Sequence, residues 1–132
     1  MQTIFESKFK KTSFDSAKAL MINTWTDAEM TDDDFKTEIL SWAELVEKYK
    51  PSKMIADTTK YNYLNTPESQ TWTGTVIFPR LISAGMKKFA IIIPTDILKQ
   101  MALEQTMDEE KSGTLATSYF DSISKAEQWA MI

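Results

Sequence analysis

Lys87-Lys88-Phe89-Ala90-Ile91-Ile92-Ile93-Pro94 is the stretch on which the fold turns. Five apolar residues run unbroken between a lysine pair and a proline. Such a run reads as a central parallel strand buried on both faces. A shorter strand of the same kind, Lys53 to Asp57 with Met54, Ile55 and Ala56 at its centre, lies upstream. Parallel neighbours need a crossover, usually a helix. The start of one is written between the two strands. Thr66 can cap, Pro67 suits the first helical position, and Glu68 complements the helix dipole. Gly85 fits the stop. Inside that span Thr75, Val76, Ile77 and Phe78 prefer strands, Gly74 weakens a helix, and Pro79 removes a backbone donor. Both ends being well marked, the expectation is one kinked helix.

The same alternation continues outward. Downstream, Thr95 or Asp96 caps a helix carrying Ile97, Leu98, Met101, Ala102 and Gln105. Gly113 separates it from a strand, Leu115 to Phe120. Ser122 or Ser124 caps a last helix with Ile123, Ala126, Trp129 and Ala130 on its apolar side. Upstream, Thr31 and three Asp residues open a helix whose stripe is Phe35, Ile39, Trp42, Ala43, Val46 and Tyr49, closed by Pro51. Glu38, Glu44 and Lys48 fall outside the stripe. Before it, Phe5 to Lys11 and Leu20 to Trp25 alternate with period two, around a turn at Phe14 to Lys18, and should pair antiparallel. The expected fold is α/β: a mainly parallel sheet with an N-terminal antiparallel hairpin, order ββαβαβαβα, in a single domain over residues 1–132 with right-handed crossovers.

Composition narrows the function. The 132 residues include no His and no Cys. That excludes Ser-His-Asp and Cys-His catalysis, thiolate metal sites, disulfides and an imidazole switch. Net charge is −4 and Arg80 is the one arginine, so nucleic acid is not an expected partner. The apolar run at Phe89 to Ile93 is far short of the ~20 residues of a membrane span. The N-terminus carries Glu6 and no apolar segment, unlike a signal peptide. A cytoplasmic protein is expected. The acidic clusters Asp32-Asp33-Asp34 and Asp108-Glu109-Glu110 read as helix-end and turn charges, so no metal and no cofactor are expected.

The element order, the Lys-Met-Ile-Ala-Asp and Lys-Lys-Phe-Ala-Ile-Ile-Ile strands and the terminal Ala-Glu-Gln-Trp helix together resemble the SpoIIAA-like fold, from Phe5 to Trp129. That superfamily includes the STAS domains, which are anti-sigma-factor antagonists and cytoplasmic tails of anion transporters. The closer resemblance is to small bacterial STAS-like or CRAL-TRIO-related proteins of mostly unassigned function. In the antagonists a strand ends in Asp-Leu-Ser, and an Asp-Ser-Ser-Gly motif, phosphorylated on its first Ser, opens the next helix. Asp57-Thr58-Thr59 and Asn65-Thr66-Pro67-Glu68 fall at the matching places. The resemblance puts Thr66 at the phosphorylated position, with Asn, Pro and Glu departing from the motif. The plainer reading of Thr66 is a helix cap.

Asp57, Thr58, Thr59, Lys60, Asn62, Pro94, Thr95 and Asp96 should gather at the carboxyl edge of the sheet, where open α/β folds bind ligands. With Asn65, Thr66 and Trp72 they make the candidate interaction or ligand edge. Asp57 and Lys60 could serve acid–base work; otherwise Asp57 holds its own loop. Trp42 and Trp129 lie on apolar stripes and should be core, while Trp25 and Trp72, near element ends, should be partly exposed. The eight Met residues suit gap filling or an adaptable groove. Lys10-Lys11 and Lys87-Lys88 read as solvated edges. These features suggest a non-enzymatic regulatory or protein-interaction domain acting on an unidentified protein partner. The alternative is a binder of a small apolar or lipid-like ligand, and an enzyme ranks third. A homodimer is left open. An apolar cavity of ~300 Å³ or more would favour the ligand; a filled core with an exposed apolar patch would favour the partner.

Overall fold

The computed structural model describes residues 1–132. The strand expected inside the sheet, β5 (Lys88–Ile92), is paired in parallel with β4 (Lys53–Asp57) on one side and β6 (Ala116–Phe120) on the other. On the far side of β4 lies β3 (Leu20–Trp25), also parallel. Beyond it, β2 (Lys10–Asp15) and β1 (Gln2–Glu6) pair antiparallel. The six strands stand in chain order across one sheet. The chain is thus α/β with a mainly parallel sheet. No helix is long and apolar enough to cross a membrane.

The N-terminal hairpin is a three-stranded meander, which makes the order βββαβαβαβα. The period-two pattern over Phe5 to Lys11 conceals a reversal. Ser7 N–H donates to the Lys10 carbonyl at 2.8 Å, and Ser7 Oγ accepts from the N–H groups of Phe9 and Lys10 at 3.1 and 3.2 Å. A serine hydroxyl that satisfies backbone donors locally builds a turn where the hydrophobic pattern shows none. The second turn falls after Phe14, with Lys18 N–H on Asp15 Oδ1 at 3.2 Å.

The helices are α1 (Asp32–Tyr49), α2 (Pro67–Trp72), α3 (Phe78–Ser83), α4 (Ile97–Met107) and α5 (Ile123–Ala130). Right-handed crossovers stepping one way across a sheet put every connecting helix on the same face. The core follows that rule. Met21, Met54, Ala56, Phe89 and Ile91 of the sheet pack with Phe35, Trp42, Val46, Ile77, Leu81 and Met107 of the helical layer. The alternate residues Leu20, Ile55, Ala90 and Ile92 point the other way, onto Ala126 and Ala130 of α5. Burial on both faces is why β4 and β5 read as continuous apolar runs.

Local chemistry sets the helix ends. Thr31 Oγ1 accepts from Asp34 N–H at 3.1 Å and Asp34 Oδ2 from Thr31 N–H at 3.0 Å, a capping box on α1. The kinked helix is α2 and α3 joined through a π-helical turn, Thr73–Ile77. Phe78 N–H reaches back five residues to Thr73, and the hydroxyls of Thr73 and Thr75 donate to the carbonyls of Ser69 and Thr71 at 2.8 and 2.9 Å. Pro79 has no N–H to continue the ordinary ladder, so the wider turn absorbs the break. Gly74 sits in that turn because a Cβ there would stand 2.5 Å from Cβ of Glu109. At the far end Gly85 adopts φ 102°. Its N–H bonds Ile82 at 3.0 Å and Met86 N–H bonds Leu81 at 3.1 Å, the Schellman pattern.

Two tryptophans differ from expectation. Trp25 is buried, because the alternation of β3 puts it with Met21 on the helix-covered face, edge-on to Tyr61 at 5.2 Å. Trp129 is only half-buried, against Phe120 and beneath Lys88 Nζ at 5.0 Å. Trp42 is buried and Trp72 half-exposed, as expected.

Candidate functional site

The carboxyl ends of β3, β4 and β5 bring most of the expected edge residues together. Asp57, Thr59 and Lys60 line a cleft with Trp25, Thr26 and Asp27. Thr59, Lys60, Thr95 and Asp96 line an adjoining one with Asn62 and Lys99. Two of the carboxylates in these clefts, Asp57 and Asp96, are engaged in their own loops. Asp57 Oδ1 accepts from the N–H and hydroxyl of Thr59 at 3.1 and 2.6 Å. Asp96, rather than Thr95, caps α4, its Oδ1 accepting from Leu98 and Lys99 N–H at 2.9 and 3.1 Å. Thr58 is buried instead of open to the cleft; its hydroxyl and N–H both donate to the Ile92 carbonyl, at 2.5 and 3.1 Å, and fasten β4 to β5. The side chains of Lys60 and Thr95 are exposed.

Asn65, Thr66 and Trp72 stand apart from both clefts. Thr66 is the N-cap of α2: Oγ1 accepts from Ser69 N–H at 3.1 Å, and Ser69 Oγ accepts in turn from Thr66 N–H at 2.9 Å. Trp72 packs edge-on to Phe35, ring centres 6.2 Å apart, with Lys36 Nζ 5.8 Å above it. Asn65 turns inward and is buried, its Oδ1 accepting from Tyr61 OH at 2.9 Å.

Three features lie outside the sequence reading. The first is Lys10, which is fully buried and not part of a solvated edge. Its Nζ lies 4.6 Å from the Phe5 ring centre and 5.9 Å from that of Trp25. It donates to Thr12 Oγ1 at 3.4 Å, which donates to Asn23 Oδ1 at 2.6 Å. Burial pulls the amine down from 10.5 to about 8, against the opposing pull of Glu38. Glu38 is itself buried at the rim of α1 and accepts from Ser7 Oγ at 2.7 Å. Period two was the available signal: Lys10 is in phase with Thr12 and Phe14 and out of phase with Lys11.

The second is the face of α4. Ala102, Thr106 and Met107 are buried, while Ile97, Leu98 and Met101 are 63%, 63% and 49% exposed. The expected apolar side of this helix therefore points outward at its first turns, next to the clefts of the carboxyl edge.

The third is a cavity of about 60 Å³ between the sheet and the helical layer, lined among others by Trp25, Trp42, Tyr61, Asn65, Leu103 and Met107. Trp42 Nε1 and Asn65 Nδ2 are buried and have no hydrogen-bond partner. Burial raises the Tyr61 phenol well above its ordinary range.

Compared with protein-family models, with curated proteins and with solved structures, the chain has no significant match.

Proposed function

We propose that this chain is a non-enzymatic, STAS-like protein-interaction domain that docks a partner through the head of α4 and the adjoining carboxyl edge. The observation that carries the reading is the outward apolar group Ile97, Leu98 and Met101 beside a polar rim of Lys60, Thr95 and Asp96. An apolar centre bordered by polar groups is the usual anatomy of a protein interface. The hydrogen bonds of Asp57 and Asp96 within their own loops support a scaffolding part for these carboxylates. The capping geometry of Thr66 supports a structural part for it ahead of a phosphorylation switch.

The interior space of about 60 Å³ weighs against a lipid-sized ligand, since drug-sized pockets run from ~300 Å³ upward. Affinity capture with the wild type and with the Leu98→Lys/Met101→Lys variant tests the proposal. A partner taken up stoichiometrically by the wild type and lost by the variant, at unchanged melting temperature, is the expected result. Equal capture by both proteins would refute the proposed face.

A further inference from the structure

We propose that the interior cavity is a binding site for one small, uncharged molecule with an apolar body and a hydrogen-bond-accepting oxygen, such as a short ketone, aldehyde or ester. This inference is independent of the docking face. It starts from the two orphaned donors, Trp42 Nε1 and Asn65 Nδ2, both on residues lining the same space. Trp42 and Asn65 are 3% and 5% exposed. A buried donor without a partner is costly, and few survive in folded proteins without an occupant or a role.

The other polar groups of the wall narrow the chemistry. The hydroxyls of Thr58, Thr73, Thr106 and Tyr61 each give their proton to an interior acceptor, at 2.5, 2.8, 2.8 and 2.9 Å. The donors left over are therefore the two orphaned groups together with the amide of Asn23, whose Oδ1 is taken by Thr12 Oγ1 at 2.6 Å, and they call for an acceptor. No charged side chain lines the cavity, so nothing there would compensate a ligand charge, and burying an unpaired charge is prohibitive. The remaining wall is mostly hydrocarbon, with 11 of 16 lining residues hydrophobic.

Size sets the scale. Water occupies ~10–15 Å³ of such space and needs two to four polar partners, while an apolar cavity of ~150 Å³ holds benzene. At about 60 Å³ the space suits a molecule smaller than benzene. A cluster of waters filling it would lie largely against hydrocarbon, whereas one amphiphilic molecule can offer an acceptor to the donor side and hydrocarbon to the apolar wall.

The test is a pair of isosteric probes, acetone and isobutene, titrated into the ¹⁵N-labelled wild-type protein. The Trp42 indole N–H is followed by NMR after sequential assignment. Acetone should shift that signal saturably, with half-saturation at ~1 mM, as expected for so few heavy atoms. Isobutene should bind roughly tenfold more weakly, because it leaves both donors unmet. The half-exposed Trp129 indole serves as the internal control. In Trp42→Phe, checked for fold by its remaining amide spectrum, the preference for acetone should fall. A Trp42 shift that is linear and matches Trp129 would overturn the proposal. So would equal affinity for the two probes, or indole–water cross-relaxation that persists unchanged at the highest acetone concentration. Each of these is read in the wild type, so the proposal stands or falls whether or not the variant folds.

Discussion

Replacing Lys10 by Met should stabilise the protein at neutral pH, and the gain should fade as the pH rises. The site holds a fully buried ammonium with one long hydrogen bond, to Thr12 Oγ1 at 3.4 Å, and two aromatic faces. Its titration point moves from 10.5 to about 8 on folding, with burial the leading cause. At roughly 1.4 kcal/mol per pH unit, keeping the charge inside costs about 3 kcal/mol at neutral pH. Methionine fills nearly the same volume without a charge, but forfeits cation–π attraction to Phe5 and Trp25 worth ~1 kcal/mol each. The expected net gain at neutral pH is therefore ~1–2 kcal/mol.

The sign of the pH dependence follows from which state holds the proton. Between pH 8 and 10.5 the unfolded chain keeps a proton that the folded chain has released. Wild-type stability thus rises with pH through that window, and the penalty returns as pH falls through 8. The advantage of Lys10→Met should accordingly shrink by about 2 kcal/mol between pH ~7 and ~9.5. The raised phenols of Tyr61, Tyr63 and Tyr119 act oppositely, stabilising below their ordinary pKa and losing that contribution at higher pH. They are common to both proteins and cancel in the difference. Urea unfolding of the two proteins, followed by tryptophan fluorescence across this pH range, measures it. A stability difference that stays constant with pH would refute the reasoning, as would a variant much less stable than the wild type at neutral pH.

Thr66→Ala breaks the capping box with Ser69 and should cost ~0.5–2 kcal/mol in denaturant unfolding, with Thr66→Ser close to wild type. Gly74→Ala drives a methyl group against Glu109 and should cost ~1–3 kcal/mol, partly recovered in Gly74→Ala/Glu109→Gly; a neutral single variant would show that the π turn yields freely. Trp42→Ala should cost ~3–5 kcal/mol. Trp129→Ala should cost distinctly less, since that ring is half-exposed, and matching midpoint shifts in the two variants would contradict the burial difference.

What could be read from the sequence was whatever depends on neighbouring residues. The apolar run of β5, the cap at Thr31, the Thr66-Pro67 start, the disruption around Gly74 and Pro79 and the stop at Gly85 are local events, and each lies where its residues put it. The differences arise where a partner far along the chain decides. The Ser7 turn hides inside a pattern that would serve equally well as one strand. The rotation of α4 escapes a sequence reading because Ile97, Leu98 and Met101 look like a core stripe. Thr106, which is buried, conceals its polarity by donating to the Ala102 carbonyl at 2.8 Å. The edge set was half legible. Strand ends fixed Asp57, Thr59, Lys60, Thr95 and Asp96, but the inward turn of Asn65 depends on Tyr61 meeting it inside the fold. Lys10 was open to a phase argument, yet a lysine in phase with core positions is ordinarily taken for solvent-facing.

The strand order has a consequence for how the chain reaches this state. Because β1 to β6 stand across the sheet in the order in which they are made, no strand has to insert between two that are already paired. Each joins the edge left by its predecessor. A nascent chain emerging N-terminus first can add one strand and its helix at a time, and each pairing joins strands consecutive in the chain, which keeps the entropic cost modest. The back of the sheet is the exception. Leu20, Ile55, Ala90 and Ile92 wait for Ala126 and Ala130, so an apolar strip remains uncovered until α5 arrives. The interval between the pairing of β5 and the docking of that last helix is when a growing chain is most exposed to aggregation.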